Sequence, residues 1–78
     1  MRFDFTDLNL FRQIVEAGSI THGAARANLA LAAASTRIRK MELAFGTELL
    51  VRGRAGVTPT QAGRTLLQHA RSILAQSE

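Results

Sequence analysis

With 78 residues, the chain is long enough for one small domain and one additional helix, and too short for a second core or a large buried active site. Ten lysines and arginines against six acidic residues give a net charge of +4, and the lack of cysteine excludes a disulfide framework and a thiolate site. Asp4 and Asp7 interrupt the apolar segment that a signal peptide needs, and the longest apolar run, residues 29–34, is far shorter than the ~20 residues of a membrane span. These features predict a cytoplasmic protein without a membrane segment.

The basic residues are concentrated in the middle of the chain. Between Arg26 and Arg64, seven basic residues minus two acidic ones leave +5, which exceeds the net charge of the whole chain. A surface that binds a polyanion requires such a concentration of charge. A solvated basic surface without a partner has the same composition, so composition alone leaves both interpretations open.

The first half of the chain predicts two helices. Apolar residues at three- and four-residue steps indicate a first helix over residues 7–17, capped by Asp4 or Thr6 and ended by Gly18. A second, short helix is expected to begin after Ser19 or Thr21 and to end at about Asn28. Its small residues, above all Gly23, predict a close crossing with a neighbouring helix, because glycine in a helix interior otherwise costs about 1 kcal/mol relative to alanine.

After a break at residues 28–31, a third helix is predicted from Ala32 to Phe45, ending at Gly46. At about 100° per residue, four apolar side chains share one narrow stripe, which is the predicted buried side. These are Ala34, Ile38, Met41 and Phe45. The opposite face is small near its start and basic further along, and it comprises Ala32, Thr36, Arg39, Lys40 and Leu43, with Ala33 and Arg37 at its margins. Such a face suits a helix in the major groove of duplex DNA, and equally an ordinary amphipathic helix with a charged solvent side.

Two short runs that are compatible with β-strands, residues 48–52 and 56–58, flank a connection with two glycines and predict a hairpin that would form a wing. Arg52 at the base of this wing and Arg54 at its tip would be able to enter a minor groove. A plain surface hairpin whose arginines maintain solubility is the alternative.

Pro59 and Thr60 precede a predicted last helix over residues 61–77. Its apolar residues form two overlapping series that give a band too wide for one contact: Leu66, Leu67, Ala70, Ile73 and Leu74. One edge of this band is expected to pack on the first helix and the other to remain exposed in a monomer, which predicts dimerisation through this helix. Burial of the whole band in the chain's own core is the alternative.

The sequence has no recognisable catalytic or metal-binding constellation. His22 and His69 lie far apart without cysteines or clustered carboxylates, and the glycine-containing segments match neither a phosphate loop nor a dinucleotide fingerprint. We therefore expect no enzyme activity, no metal and no cofactor. Phe11 and Phe45 are assigned to the core, so no aromatic platform remains for stacking single-stranded bases, which favours duplex DNA as the partner.

Four local patterns, taken in order, resemble the N-terminal winged helix-turn-helix of LysR-type transcriptional regulators. They are Leu8-x-x-Phe11 followed by residues 17–21; Ser35-x-x-Ile38-x-x-Met41-Glu42 followed by Phe45-Gly46; Leu49-Leu50-x-Arg52; and Val57-x-x-Thr60-x-Ala62-Gly63. The resemblance extends from about Asp7 to the end of the chain. It implies a mainly α fold, with a three-helix winged helix-turn-helix core, a small β-hairpin wing and a long C-terminal linker helix that pairs two subunits on duplex DNA.

This resemblance also implies a domain organisation. Residues 1–59 are expected to form the DNA-binding domain, with the helix-turn-helix motif at 19–38 and the wing at 48–58, and residues 60–78 the linker helix. The family's small-molecule-sensing domain would follow, so an effector would act only through a part that this chain lacks. The expected assembly is a homodimer through the C-terminal helix, with a tetramer as the further assembly open to a full-length protein.

The chain departs from the family where the recognition helix usually opens with Ser-Gln-Pro, because Ala30-Leu31-Ala32 stands at the matching positions. Leu31 and Ala32 offer bases only apolar contact, for example with a thymine methyl group, and Ala30 lacks a side-chain N-cap worth about 1 kcal/mol. Base contacts are therefore predicted to shift toward Ala33, Ser35, Thr36 and Arg37. Phosphate contacts are predicted for Thr21, Arg39, Lys40, Arg52 and Arg54.

The sequence thus predicts a bacterial transcriptional regulator that binds duplex DNA sequence-specifically, with the third helix in the major groove and the wing in the minor groove. Under this hypothesis, Arg37→Ala relaxes sequence preference, whereas Arg54→Ala lowers affinity for every sequence. A winged-helix module for protein–protein assembly and a sequence-indifferent DNA-packaging protein are the alternatives.

Overall fold

A computed structural model describes residues 3–77 of the chain. The elements in order are α1 (Phe5–Ala17), α2 (Ile20–Arg26), α3 (Leu31–Phe45), β1 (Leu50–Gly53), β2 (Gly56–Pro59) and α4 (Gln61–Ser77). Three helices and a hairpin therefore precede a long last helix, which confirms the predicted mainly α, winged helix-turn-helix architecture. The predicted outer limits of the domains, residues 1 and 78, fall outside the described residues.

The ends of the first two helices are set by residues that the sequence identified. Asp4 caps α1, because its Oδ1 accepts a hydrogen bond from the backbone N–H of Asp7 at 2.8 Å, and the helix begins earlier than predicted. Gly18 ends α1 with φ of 68°, a left-handed conformation that favours glycine. Ser19 caps α2 by accepting a hydrogen bond at 3.1 Å from a backbone N–H in the first turn.

The break between α2 and α3 contains a residue with positive φ. Asn28 has φ of 59°, which asparagine tolerates better than most residues. α3 then begins at Leu31, and Ala30 at its N-cap position makes no side-chain hydrogen bond, as predicted. Gly46 ends α3 with φ of 72°, also as predicted.

Three of the four residues in the predicted apolar stripe form the buried side of α3. They are Ala34, Ile38 and Met41. These side chains belong to the same buried cluster as Phe11 of α1, whose burial was also predicted. α3 is therefore held by one narrow side, which leaves its opposite side to solvent.

Phe45, the fourth residue of the predicted stripe, is not in the core. Its side chain is 39% exposed, and its ring lies against that of Phe3 with the centroids 5.3 Å apart. The last turn of α3 extends beyond the core, since Leu43 and Ala44 are exposed there too. The prediction of a buried Phe45 was wrong because periodicity gives the direction of a side chain and not the extent of the core.

β1 and β2 form an antiparallel hairpin in which Leu50 pairs with Pro59 and Gly53 with Gly56. Both strands lie within two residues of their predicted positions. Leu50 at the base of the hairpin and Val57 nearer its tip are buried, and both attach the hairpin to the core. The two-residue connection is the tip of the predicted wing.

The two wing arginines are both exposed, at slightly different places from those predicted. Arg54 lies in the turn, so its position at the tip is confirmed. Arg52 was predicted at the base of the wing, but it pairs with Val57 only one position from the end of the ladder. The prediction was wrong because the strand begins and ends later than the β-compatible run, which moves Arg52 toward the tip.

Thr60 caps α4, as predicted. Its Oγ1 accepts a hydrogen bond from the N–H of Gly63 at 3.0 Å and donates one to the carbonyl oxygen of Glu48 at 2.7 Å. The N–H of Thr60 donates to the carbonyl oxygen of Leu49 at 3.0 Å. The start of α4 is therefore tied to the segment that leads into β1.

The apolar band of α4 is almost entirely covered by the rest of the chain. Four of its five residues are buried: Leu66, Leu67, Ala70 and Leu74. α4 contacts both α1 and β2 of the same chain. The predicted exposed edge is wrong except at Ile73, which is 37% exposed.

Candidate nucleic-acid interface

The outward face of α3 carries two kinds of side chain. In its first two turns it has small or apolar residues, of which Leu31, Ala32 and Ala33 are exposed and Thr36 is half-buried. Further along, Arg39 and Lys40 are exposed. Small side chains let a partner approach the helix closely, and cations beside them attract an acidic partner. We call these six residues the reading face. Ser35, also predicted to contact bases, is half-buried at its margin.

A groove of about 750 Å³ follows the reading face where α3 meets the N-terminal part of the chain. Ala32, Thr36 and Lys40 line it on the α3 side, and Phe3 and Asp7 line the other side. Its lining combines apolar residues with the charged side chains of Asp7, Arg37 and Lys40. The carboxylate of Asp7 therefore lies beside the face of α3 that the sequence predicted to be small and basic.

Arg37 lies in this groove, and its guanidinium pairs with two carboxylates. Nη1 is 2.8 Å from Oδ1 of Asp7 and 3.5 Å from Oδ1 of Asp4. This arrangement connects the middle of α3 to the first turn of α1. The structure thus places Arg37 in an intramolecular contact, in contrast to the exposed Arg39 and Lys40.

The electrostatic environment favours the charged forms of Asp4 and Arg37. The pKa of Asp4 is lowered from its ordinary value, first by the backbone hydrogen bond from Asp7 and further by the charge of Arg37. The pKa of Arg37 is raised, chiefly by its hydrogen bond to Asp7. One positive and two negative charges therefore meet at the edge of the groove.

Sequence reasoning did not identify Asp4 and Asp7 as part of this surface. Asp4 was considered as a helix cap and, with Asp7, as an interruption of a signal peptide, and both residues are at least 30 positions away from Arg37 along the chain. The available signal was the placement of two acidic residues at the start of a helix that packs on a basic one. It could be used only with knowledge of how α1 and α3 cross, which the sequence does not give.

α2 is held against α1 at close range. An added Cβ at Gly23 would collide with the backbone Cα of Ile14, so the predicted close crossing is confirmed. Thr21, predicted to contact phosphate, is exposed in the first turn of α2. The tight junction therefore fixes the position from which Thr21 projects.

The wing is attached to the same junction. The N–H of Val57 donates to the carbonyl oxygen of Gly18 at 3.0 Å, and a Cβ added at Gly56 would collide with that carbonyl oxygen. Gly56 also has φ of 121°, which strongly favours glycine. The hairpin is thus anchored through its second strand to the turn between α1 and α2.

Glu42 fixes the other strand. Its Oε2 accepts hydrogen bonds from the backbone N–H groups of Leu49 at 2.8 Å and Leu50 at 3.3 Å. Adjoining surface grooves that share Glu42 and Glu48 connect Arg39 of α3 with Arg52 of the wing. The basic end of the reading face and the wing are therefore neighbours on the surface.

Within residues 3–77, no group of three or more histidine, cysteine, aspartate or glutamate side chains is placed to hold a metal ion. None of the helices in this part of the chain is both long and apolar enough to cross a membrane. The predicted dimerisation residues of α4 belong to a separate region from the reading face, since four of the five are buried in the core.

The chain is similar to known transcriptional regulators over nearly its whole length. It is 41% identical over 75 residues to the nitrogen assimilation regulatory protein Nac of Escherichia coli, a match that covers 96% of this chain and 25% of Nac. The chain therefore spans about a quarter of the length of that relative.

Two solved structures of DNA-binding domains in DNA complexes have the same fold. The structure of the CbnR DNA-binding domain with DNA superposes with a TM-score of 0.86 at 29% identity, covering 96% of this chain and 86% of that one. The BenM DNA-binding domain bound to its catB site 1 DNA gives a TM-score of 0.88 at 29% identity, covering 96% of this chain and 83% of that one. The sequence model of the family described as "Bacterial regulatory helix-turn-helix protein, lysR family" matches residues 5–64. With this match and the shared fold, the chain belongs to the LysR family of bacterial regulatory helix-turn-helix proteins.

Proposed function

We propose that the chain binds double-stranded DNA sequence-specifically, as the DNA-binding domain of a transcriptional regulator in the bacterial cytoplasm. α3 would lie in the major groove, and the tip of the hairpin would contact a minor groove. The observation that carries this proposal is the reading face, which is exposed, small at its start and basic further along. The DNA complexes of the CbnR and BenM domains support it by analogy of fold.

The chemistry of the reading face suits the major groove. This groove of B-DNA admits one α-helix, and small side chains at the start of α3 allow the helix to approach the base edges. Leu31, Ala32 and Ala33 would contact apolar parts of bases such as thymine methyl groups, and Thr36 adds a hydroxyl that donates or accepts. Arg39 and Lys40 would neutralise phosphates, which position the protein without reading sequence.

We further propose the domain organisation and assembly that the family resemblance implies. Residues 1–59 would bind DNA, residues 60–78 would act as a linker that pairs two subunits, and an effector would act through a domain outside this chain. The greater length of Nac supports a further domain, and a tetramer is the higher assembly of such a protein. Because most of the apolar band is buried, a dimer would have to use the outward side of α4, where Ile73 is exposed.

Selection of bound sequences from a random duplex pool tests the proposal. We expect enrichment of related half-sites separated by about one helical turn or a multiple of it, because a two-fold dimer presents two copies of α3. Affinity for the selected duplex should fall steeply with salt concentration, since phosphate contacts release counterions. No enrichment, together with a flat salt response, would contradict the proposal.

Arg54→Ala tests whether the wing contacts DNA. Because Arg54 lies at the exposed tip, we expect its loss to weaken binding to selected and random duplexes by a similar factor and to reduce the salt slope by about 1. Fluorescence anisotropy at several salt concentrations measures both quantities. Arg71→Ala is the matched control, because Arg71 lies on α4 and is paired with Glu16 at 3.4 Å. An unchanged slope for Arg54→Ala would remove the wing from the interface.

A second function is favoured by the apolar residues that α3 exposes. Leu31 and Leu43, on or near its outward face, are two of the three large ones, and Phe45 is the third. They would suit a protein partner with an acidic surface, so the domain would then serve assembly instead of DNA binding. The titration with random duplexes separates the two functions, since an assembly module should show no binding even at low salt. Equal affinity for all duplexes would instead indicate a DNA-packaging protein.

A further inference from the structure

We propose that Arg37 is a positioning residue that Asp7 and Asp4 hold against α1, and that these two carboxylates limit the affinity of the reading face for DNA. The sequence pattern predicted that Arg37 contacts bases, whereas here its role is to hold α3 against α1. It rests on the proposed function, because it concerns how tightly and how selectively the same surface binds DNA.

The geometry of the pair supports a positioning role. The side chain of Asp7 is only 17% exposed and lies 2.8 Å from Nη1 of Arg37, whose own side chain is 36% exposed. A charge pair that is partly removed from water is screened less by salt than a surface pair. Asp4 lies further away, at 3.5 Å, and is 63% exposed, so it contributes less. Arg37 is therefore held chiefly by Asp7.

The Asp4 carboxylate is held in place without Arg37, and Asp7 lies where a carboxylate is favoured. Asp4 caps α1, and its Oδ1 accepts the N–H of Asp7 at 2.8 Å. Asp7 lies in the first turn of α1, where the partial positive charge of the helix N-terminus stabilises a carboxylate. Asp4 therefore loses little further side-chain freedom when it meets Arg37. The crossing of α1 and α3 is thus fixed at a point beside the reading face.

The same cluster carries more negative than positive charge. Arg37 contributes one positive charge, and Asp4 and Asp7 contribute two negative ones, at the edge of the groove that Ala32 and Lys40 also line. DNA lying along α3 would bring phosphates near this cluster, and the uncompensated carboxylate would repel them. The cluster therefore opposes the attraction from Arg39 and Lys40, and discrimination between sequences falls to the small residues at the start of α3.

Four variants of the 78-residue chain test this inference: Asp7→Asn, Arg37→Ala, Arg37→Lys and Asp7→Asn/Arg37→Ala. Each is titrated with the selected duplex and with a scrambled duplex of the same composition, at several salt concentrations. Three quantities are compared: the affinity for each duplex, the ratio of the two affinities, and the salt slope. Urea unfolding of the wild type, Asp7→Asn, Arg37→Ala and the double variant gives the coupling between the two side chains.

Asp7→Asn keeps the shape of the side chain and an Oδ1 that can accept the hydrogen bond from Arg37, and it removes one negative charge. We expect it to tighten binding to both duplexes by roughly two- to fivefold, because one repulsive charge near the phosphates is lost. Glu16→Gln is the matched control, since Glu16 is also an arginine-paired carboxylate of α1 but lies at the far end of the helix. Equal gains for both variants would reflect net charge alone and would overturn the inference, as would an unchanged or lower affinity for Asp7→Asn.

Arg37→Ala separates three roles for this residue. A positioning role predicts that affinity for both duplexes falls by a similar factor, with the affinity ratio and the salt slope unchanged. A bidentate base contact predicts that the ratio falls by roughly five- to 150-fold, and a phosphate contact predicts that the slope falls by about 1. Either of the last two results would overturn the inference. Arg37→Lys keeps the charge and should bind as the wild type does, whereas a base-reading arginine would not tolerate it.

The double variant and the wild type complete the test. Removal of both partners should bring affinity back toward the wild-type value, and the unfolding free energies should be non-additive, because the side chains are in contact. Additive free energies would overturn the inference. If Arg37→Ala does not fold, Arg37→Gln is used in its place, because glutamine fills more of the space of the arginine side chain than alanine does. Failure of the wild type to prefer the selected duplex would contradict the proposed function itself, which distinguishes that failure from a failure of this inference.

Discussion

At the junction of α1, α2 and β2, backbone lies directly against backbone. Gly23 of α2 faces the Cα of Ile14, and Gly56 of β2 faces the carbonyl oxygen of Gly18, and neither approach leaves space for a Cβ. On the reading face of α3 the situation is reversed, because its side chains are exposed to solvent except for the half-buried Thr36. Adding one methyl group should therefore lower the stability of the fold strongly at the junction and only slightly on the reading face.

This difference separates two tasks within a very small domain. The junction sets the relative positions of α1, α2 and the wing, and it allows almost no variation in side-chain size. The reading face sets what the domain recognises, and its residues are constrained by the partner instead of by the fold. Arg37 lies between the two regions, since it belongs to α3 but contacts α1.

The largest effect is expected from Gly23→Ala. Alanine is favoured over glycine in a helix by about 1 kcal/mol, but the added Cβ would overlap the backbone of Ile14, which cannot move as a flexible side chain would. We expect the free energy of unfolding to fall by about 2–3 kcal/mol in total, with overpacking exceeding the gain in helix propensity. Urea unfolding followed by circular dichroism measures this change.

Ala25→Gly is the control for Gly23→Ala, because Ala25 is exposed on the same short helix. It should lose only about 1 kcal/mol, through helix propensity. If Gly23→Ala were instead as stable as the wild type, α1 and α2 would have to separate at little cost, and the contrast between the two regions would fail.

Gly56→Ala should have the next largest effect. The substitution strains the backbone at φ of 121° and places a Cβ against the carbonyl oxygen of Gly18, so we expect a loss of about 1–3 kcal/mol of stability. The wing would tilt away from the junction, and affinity for all duplexes should fall with it. Gly53→Ala is the matched control, since a Cβ there has its nearest contact at 3.9 Å. Equal effects of both variants would show that the anchor at Gly18 is unimportant.

The element ends could be predicted because they depend on local chemistry. Ser19 and Thr60 accept hydrogen bonds from nearby backbone N–H groups, and Gly18 and Gly46 adopt the left-handed conformation that ends a helix. Each of these signals involves residues within a few positions of one another. The order of elements and the exposed face of α3 therefore followed from the sequence.

The remaining features depend on how distant elements meet. The pairing of Arg37 with Asp7 requires the crossing of α1 and α3, and the exposure of Phe45 depends on where the core ends. The burial of the band on α4 was underestimated because periodicity shows how wide an apolar face is, and not how many neighbours cover it. The close approach of Gly56 to Gly18 gave no local signal of which residue it would meet.

A stabilising change is expected at the start of α3. Ala30 has φ of −64° and ψ of 148°, a conformation that suits an N-cap serine, but it offers no side-chain acceptor. Ala30→Ser should therefore raise the free energy of unfolding by about 1 kcal/mol. Ala33→Ser is the control, because it adds the same hydroxyl inside the exposed part of the helix and should lower stability by about 0.5 kcal/mol. A gain from both substitutions, or from neither, would contradict the capping argument.

The smallest effect concerns Asp4, which lies between the two regions and is highly exposed. Its pKa is lowered in the folded chain by the backbone hydrogen bond from Asp7 and by Arg37, so the ionised form is the one that the fold stabilises. This stabilisation is present above the ordinary pKa of 3.8 and is lost as pH falls through the lower pKa that Asp4 has in the folded chain. Asparagine caps helices about as well as aspartate, so Asp4→Asn removes mainly the charge. We expect the variant to be slightly less stable than the wild type near neutral pH, and the difference to disappear in strong acid, as urea unfolding at a series of pH values would measure. A difference that persisted below the pKa of Asp4 would mean that the carboxylate acts through its shape as a cap and not through its charge.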